Sequence, residues 1–220
     1  RYPGLGQAVQ CDGQVGKILA VAFSPSGALL VSAAHDYDSR HDPRLHNAIA
    51  WNVRTGTPRF KIQTQNALGG SVSFAPDGEV FALGAGDSFV EAFSARDGHK
   101  IARFDAASGF VQAAVFDPTG RLLATAGEDG AVKLWNTSDW TLHKDLGMHT
   151  DIAVTVGFSR DGKLLASGGC DGVIRVWDVK TGALVITLEP KCGDVQYVGF
   201  SPTELVLGSV QTNGARLWHF

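Results

Sequence analysis

Short apolar runs separated by polar turns cover the chain, and no copy of this pattern holds a helical spacing of apolar positions over ten or more residues. One kind of run ends in phenylalanine, as in Val21-Ala22-Phe23 and Val154-Thr155-Val156-Gly157-Phe158. A turn follows each: Ser24-Pro25-Ser26-Gly27, Ala75-Pro76-Asp77-Gly78, Asp117-Pro118-Thr119-Gly120, Ser159-Arg160-Asp161-Gly162 and Ser201-Pro202-Thr203-Glu204. Proline presets φ and glycine permits positive φ, so these turns have a mechanism. A short run such as Leu122-Leu123-Ala124-Thr125-Ala126 comes next. Asp129-Gly130, Asp171-Gly172 and Asn213-Gly214 then predict two-residue hairpin turns of the primed type. An alternating segment, Val173-Ile174-Arg175-Val176-Trp177, leads through a polar turn to a last run, Ala183–Leu188. Each unit thus predicts four short strands, a to d.

The units repeat. Phe74, Phe116, Phe158 and Phe200 are each 42 residues apart, as are Asp87, Asp129, Asp171 and Asn213, and Phe93, Trp135 and Trp177. A fixed period means that one structural unit is copied and buries its apolar face against its neighbours. Four strands per unit, this period and this turn chemistry predict an all-β fold, a β-propeller of five four-stranded blades. The series Phe-Ser-Pro-x-Gly, Leu-Ala-Ser-Gly, Asp-Gly and aliphatic-x-Trp-Asp resembles the WD40 repeat over essentially the whole chain. Only Trp177-Asp178 is a true Trp-Asp pair; the other copies read Trp51-Asn52, Phe93-Ser94, Trp135-Asn136 and Trp218-His219. Two features depart from the family pattern. The first b–c hairpin carries nine extra residues within Asp36–Asn47, and the five copies are fewer than the seven or so blades usual in the family. Residues 1–220 read as a single propeller domain or a segment of a larger one.

Composition narrows the function. The formal net charge is −3, with no evident basic face, so nucleic-acid or anionic-membrane binding is not expected. No apolar run approaches the roughly 20 residues of a membrane-spanning helix. Three cysteines, Cys11, Cys170 and Cys192, form neither a disulfide framework nor a C-x-x-C motif. Such a set favours a reducing, cytoplasmic compartment and is compatible with a bacterial periplasm.

Candidate chemistry is sparse. His149, Ser167 and Asp171, followed by Trp177, contain the residue types of a hydrolase triad. The family resemblance implies a different role: a structural tetrad joining the d–a loop to strands b and c. The position of His149 holds Ala107 before the third blade and Lys191 before the fifth, and that of Ser167 holds Leu83 in the second and Thr125 in the third. A set that degrades from blade to blade is expected of a stability device. In and beside the insertion lie His35, His41 and His46 with Asp36, Asp38 and Asp42, but their spacing fits no closed metal motif, and Arg40 and Arg44 oppose a cation. No nucleotide, zincin or nucleophile-elbow motif is present. No cofactor, metal or catalytic residue is expected.

The resemblance implies a non-catalytic protein-binding scaffold, within a larger assembly or multidomain protein, whose protein or peptide partner sits on the face made by the d–a and b–c loops. Candidate partner-binding residues there are Tyr37, Arg40 and Arg44 in the insertion, and Phe110, Glu128 and Asp151 on other blades. The alternative is an enzyme or small-ligand binder using the central channel. The last copy ends after strand c at Trp218-His219-Phe220, while Gly6–Cys11 stands where a strand d would precede Phe23. That predicts pairing of the N-terminal segment with the last blade. The rival expectation is a segment that ends an earlier blade of a longer ring.

Overall fold

The computed structural model describes residues 10, 11, 14, 16–35, 48–64, 68–85, 87–191 and 193–220. Their strands fall into five antiparallel sheets. Blade 1 holds β1 (Lys17–Phe23), β2 (Leu29–His35), β3 (Ala48–Asn52) and β4 (Pro58–Ile62). Blade 2 holds β5 (Leu68–Phe74), β6 (Val80–Ala85), β7 (Phe89–Ser94) and β8 (Lys100–Asp105). Blade 3 follows with β9 (Val111–Phe116), β10 (Leu122–Gly127), β11 (Ala131–Asn136) and β12 (Leu142–Met148). Blade 4 is β13 (Ala153–Phe158), β14 (Leu164–Gly169), β15 (Ile174–Asp178) and β16 (Leu184–Leu188). Blade 5 has β17 (Val195–Phe200), β18 (Val206–Gln211) and β19 (Gly214–His219). Each sheet is a meander of neighbouring strands in chain order.

The core lies between blades, because a lone four-stranded sheet has two faces and can bury neither by itself. Leu29, Val31, Ala33, Ala48 and Ala50 of blade 1 meet Phe81, Leu83 and Phe93 of blade 2. Ala82 and Val90 of blade 2 meet Val111, Ala114, Phe116, Leu123 and Trp135 of blade 3. The same arrangement joins blade 3 to blade 4 and blade 4 to blade 5. Both faces are buried in blades 2 to 4, which explains near-continuous apolar strands where a half-exposed sheet would alternate. The first strands gather on the inside: β1 packs on β5, β5 on β9, β9 on β13 and β13 on β17.

Small residues set the blade spacing. A Cβ on Gly168 would lie 2.4 Å from Val195 Cγ1, and one on Gly127 2.5 Å from Ala107 Cβ. The a–b turns also interlock. A side chain at Gly78, Gly120 or Gly162 would meet Pro25, Pro76 or Pro118 of the preceding blade. Where Arg160 replaces the proline, its guanidinium donates to the Pro202 carbonyl at 2.9 Å.

The b–c turns differ from the expected primed type. Gly130 N donates to Gly127 O at 3.0 Å and Gly172 N to Gly169 O at 3.1 Å. Gly130 and Gly172 have positive φ, but Asp129 and Asp171 do not. These are type I turns with a left-handed glycine after them. The aspartate is freed from the αL region and its carboxylate is aimed at the neighbouring d–a loop. In blade 2 Ser88 holds the left-handed position without a glycine, at φ 77°.

The nine-residue insertion, with Tyr37, Arg40, Arg44 and the histidines His41 and His46, lies outside the described residues. So does Gly6–Val9 of the N-terminal segment expected to complete blade 5. β2 and β3 pair from Leu29↔Asn52 to Ala33↔Ala48, so the hairpin register is complete below the insertion.

Candidate functional site

Blade 4 carries the fullest polar network. Ser167 sits in β14, Trp177 in β15, Asp171 in the turn between them, and His149 just after β12 in the loop crossing from blade 3. Trp177 Nε1 donates to Ser167 Oγ at 3.1 Å. Ser167 Oγ lies 2.9 Å from His149 Nε2, and His149 Nδ1 2.9 Å from Asp171 Oδ1. Indole only donates and carboxylate only accepts, which orders the protons between them. Ser167 gives its hydroxyl hydrogen to Nε2, and Nδ1–H faces Asp171. Asp171 also accepts from the Thr150 amide at 3.1 Å, the Val173 amide at 3.1 Å and Arg175 Nη1 at 2.8 Å. Arg175 Nη1 approaches His149 Nδ1 to 2.7 Å, because both donors converge on one carboxylate.

The charges follow from this packing. Burial holds the His149 imidazole below its usual pKa; the Asp171 carboxylate pulls the other way, and Arg175 adds to the lowering. The ring is therefore neutral near pH 7. Burial by itself would raise Asp171, but hydrogen bonds from His149, Arg175 and the Thr150 amide outweigh it and hold the carboxyl at about 2. The chain Asp–His–Ser has the order of a hydrolase triad, yet His149 and Ser167 are buried, and the Ser167 oxygen already accepts from an indole.

Reduced versions occupy three other blades. In blade 1 Trp51 Nε1 donates to Ser32 Oγ at 2.7 Å, and the Ser32 hydroxyl donates to Gln14 Oε1. In blade 3 Trp135 donates to Thr125 at 2.9 Å, and Asp129 accepts from the Ser108 amide at 2.7 Å. In blade 5 Trp218 donates to Ser209 at 2.9 Å, and Gln211 Nε2 donates to the same oxygen at 2.6 Å. Blade 2 has no such chain, since Leu83 and Phe93 stand at those positions. It has an ionic cluster instead. Buried Glu91 meets Lys100 Nζ at 2.6 Å and Arg103 Nε at 3.5 Å, while Arg103 reaches Asp87 at 3.0 Å and stacks on Phe89 at 3.8 Å.

These networks tie the d–a loops and b–c turns into one strip. Glu128 N donates to Phe110 O at 2.9 Å, Cys170 N to Ile152 O at 2.9 Å and Thr212 N to Asp194 O at 3.1 Å. They are one bond made at three successive blades. Glu128 also accepts from the Phe110 amide at 3.0 Å. Asp151 lies in the next loop, exposed, with its carboxylate on the Ile152 amide at 2.7 Å. The structure thus brings Phe110, Glu128 and Asp151 onto one continuous run of loops, Phe110 and Met148 being its exposed apolar side chains. Burial, together with the carboxylates of Asp194, Asp151 and Asp171, pushes the Cys170 thiol up, so it is not a poised nucleophile. Among the described residues no group of three or more His, Cys, Asp or Glu could hold a metal ion, and no helix is long and apolar enough to cross a membrane.

Five participants are missing from the residues singled out by sequence. Gln14 has a legible signal: it precedes Ser32 by 18 residues, the spacing of His149 to Ser167. Arg175 and Glu91 on strands c, and Lys100 and Arg103 on β8, have none, because polar residues are ordinary on the exposed faces of such strands.

Comparison with known families matches the WD domain, G-beta repeat, at residues 7–39, 98–136 and 140–178, half of the chain. No curated protein matches it. Domains built of this repeat are generally non-catalytic scaffolds that bind protein partners. Five meandering sheets in series, an indole-to-hydroxyl bond in four of them and three matches to the repeat all converge: the chain belongs to the WD40-repeat family.

Proposed function

We propose that this chain is a non-catalytic scaffold that binds a protein or peptide partner on the strip of d–a loops and b–c turns. The observation that carries the reading is the use of polar groups along that strip. Asp129 and Asp171 are spent on backbone amides and on internal partners, and His149 and Ser167 of the Ser–His–Asp set are buried. Such groups stiffen loops; they do not turn over a substrate. A pre-organised surface binds with less ordering entropy to overcome. Exposed Phe110 and Met148 supply apolar anchors, and exposed Glu128, Asp151 and Asp194 surround them with negative charge. That combination favours a partner segment carrying an apolar side chain next to basic ones. Residues 1–220 act as one propeller unit in this reading, and the His149–Ser167–Asp171–Trp177 tetrad serves structure alone.

The test is affinity capture with the wild-type chain and with a Phe110→Ala/Met148→Ala variant, partners being identified by mass spectrometry. Loss of a specific partner, with an unchanged thermal midpoint, is expected. A partner set identical for both proteins overturns the assignment to this strip.

A further inference from the structure

Strand d stands at one end of its sheet in blades 1 to 4, and in blade 4 its free edge carries no charge. Among the described residues β4, β8, β12 and β16 each pair with strand c alone. A free edge presents a row of backbone N–H and C=O groups to any extended chain, and charged side chains or proline are the usual guard against unwanted pairing. β4 carries Pro58, Arg59 and Lys61, β8 carries Lys100, Arg103 and Asp105, and β12 carries His143, Lys144 and Asp145. β16 reads Leu184-Val185-Ile186-Thr187-Leu188 and has no such guard. Leu184 and Val185 are 48% and 55% exposed. Their counterparts one and two repeats earlier, Leu142 and Ile101, are 50% and 42% exposed in blades that have a blade packed on each side. Among the described residues, strands d of neighbouring blades do not pack on one another as the first strands do. The exposure of this edge is therefore a property of strand d itself, whatever flanks the blade.

The strand is also close to a palindrome. About Ile186, Leu184 answers Leu188, and Val185 answers Thr187, which has nearly the same shape. Turned antiparallel against a copy of itself, β16 sets like against like, with β-branched residues at the three central positions, where cross-strand pairs stabilise a sheet best. The flanking charges agree with that arrangement. Glu189 is exposed just past one end of the strand, and Lys180 is exposed before the other. The Lys144 side chain crosses the same turn, 3.0 Å from where a Cβ on Gly182 would stand. Antiparallel pairing carries the Glu189 carboxylate of each copy toward Lys180 and Lys144 of the other. The bulge at Val185 does not set β16 apart, since β4, β8 and β12 have one at the same place.

We propose that β16 is a dimerisation edge: the β16 strands of two copies pair antiparallel about a two-fold axis at Ile186 and join two four-stranded blades into one continuous sheet. The contact is isologous, the same strand on both sides, so it closes at two copies. It lies on the outer rim of blade 4, apart from the loop strip, and does not rest on the partner proposed there.

Sedimentation velocity across a concentration series tests it. The mass of the wild-type chain should rise from 23.3 kDa to twice that and stop. Amide exchange should slow with concentration in β16 and not in β4, β8 or β12. Val185→Lys/Thr187→Lys should be monomeric with an unchanged circular dichroism spectrum, because both side chains are exposed. In a chain whose three cysteines are replaced by serine, Ile186→Cys should give a disulfide-linked dimer on mild oxidation. Leu184→Cys should not, because only the residue on the axis comes within disulfide distance of its own copy. A wild-type chain that is monomeric at every concentration overturns the proposal. So does growth beyond a dimer, or a dimer that survives the two lysines. Should the lysine variant fail to fold, the cross-link decides: a yield at position 186 no higher than at position 184 overturns it.

Discussion

Replacing Asp171 by alanine tests whether the blade 4 network behaves as one unit. The substitution removes the acceptor for His149 Nδ1–H, the amides of Thr150 and Val173, and Arg175. Thr150 is exposed, so its amide can turn to water. The His149 side chain is fully buried and cannot. One stranded buried donor costs about 1–3 kcal/mol, and hydrogen bonds to a charged acceptor lie at the upper end. The expected loss is about 2–3 kcal/mol, a fall in thermal midpoint of about 4–12 °C for a chain of this size. Asp129→Ala is the internal control. It strands the amides of Ser108 and Ala131 but no imidazole, and should cost about 1 kcal/mol. The pH dependence has a definite sign. The unfolded carboxyl takes up its proton near 3.8 while the folded one resists to about 2, so the stabilisation is complete above pH 3.8 and is lost as pH falls toward 2. That interval corresponds to about 2 kcal/mol without solvent screening, and to about 1 kcal/mol at a turn open to solvent on one side. Urea midpoints for the wild type and both variants, at pH 7 and at pH 3, measure all of this. Equal losses for Asp171→Ala and Asp129→Ala would refute the network reading, as would a gap between wild type and Asp171→Ala that is as wide at pH 3 as at pH 7.

Gly168→Ala should cost about 1–3 kcal/mol, because the new methyl lands 2.4 Å from Val195 and forces blades 4 and 5 apart; a thermal midpoint within a degree of wild type would contradict the spacing argument. Lys100→Met leaves buried Glu91 with only the longer Arg103 contact, and one of its oxygens already lacks a partner among the described residues, so chemical denaturation should show a loss of about 1–3 kcal/mol. Trp140→Gly relieves a left-handed backbone at φ 60° but removes a ring stacked on Phe104 with centroids 5.9 Å apart. Burial should win over strain, with a net loss of about 1–2 kcal/mol by calorimetry. Replacing residues 37–46 by Asn-Gly should leave the circular dichroism spectrum unchanged and the midpoint within a few degrees, since β2 and β3 are already paired up to Ala33↔Ala48.

The blade plan was legible because it rests on local chemistry repeated at a constant period. Phe74, Phe116, Phe158 and Phe200 mark the ends of the inner strands, the Pro–Gly turns follow them, and Trp51, Trp135, Trp177 and Trp218 find a hydroxyl one strand away. A sequence that copies one unit repeats its backbone pairing, and its side-chain hydrogen bonds recur where the residues do. The type of the b–c turn differs from the expectation, since Asp-Gly satisfies two turn geometries that differ in the φ of the aspartate, and the bonds its carboxylate makes to the Thr150 or Ser108 amide favour the one with negative φ. Trp140 in a left-handed turn, buried Glu91 and Arg175 at the tetrad were invisible for a related reason. Trp140 and Glu91 each break a local preference and are repaid by Phe104 and Lys100, while Arg175 gains its role from the Asp171 carboxylate that the turn aims at it. The ends of the series were the least legible. Ile18, Val21 and Phe23 read as core by pattern and stand where later blades have core residues, yet they are 52%, 58% and 61% exposed among the described residues. A strand's sequence states which face is apolar. Whether another face meets it depends on how the blades are arranged around it, and that is settled only in three dimensions.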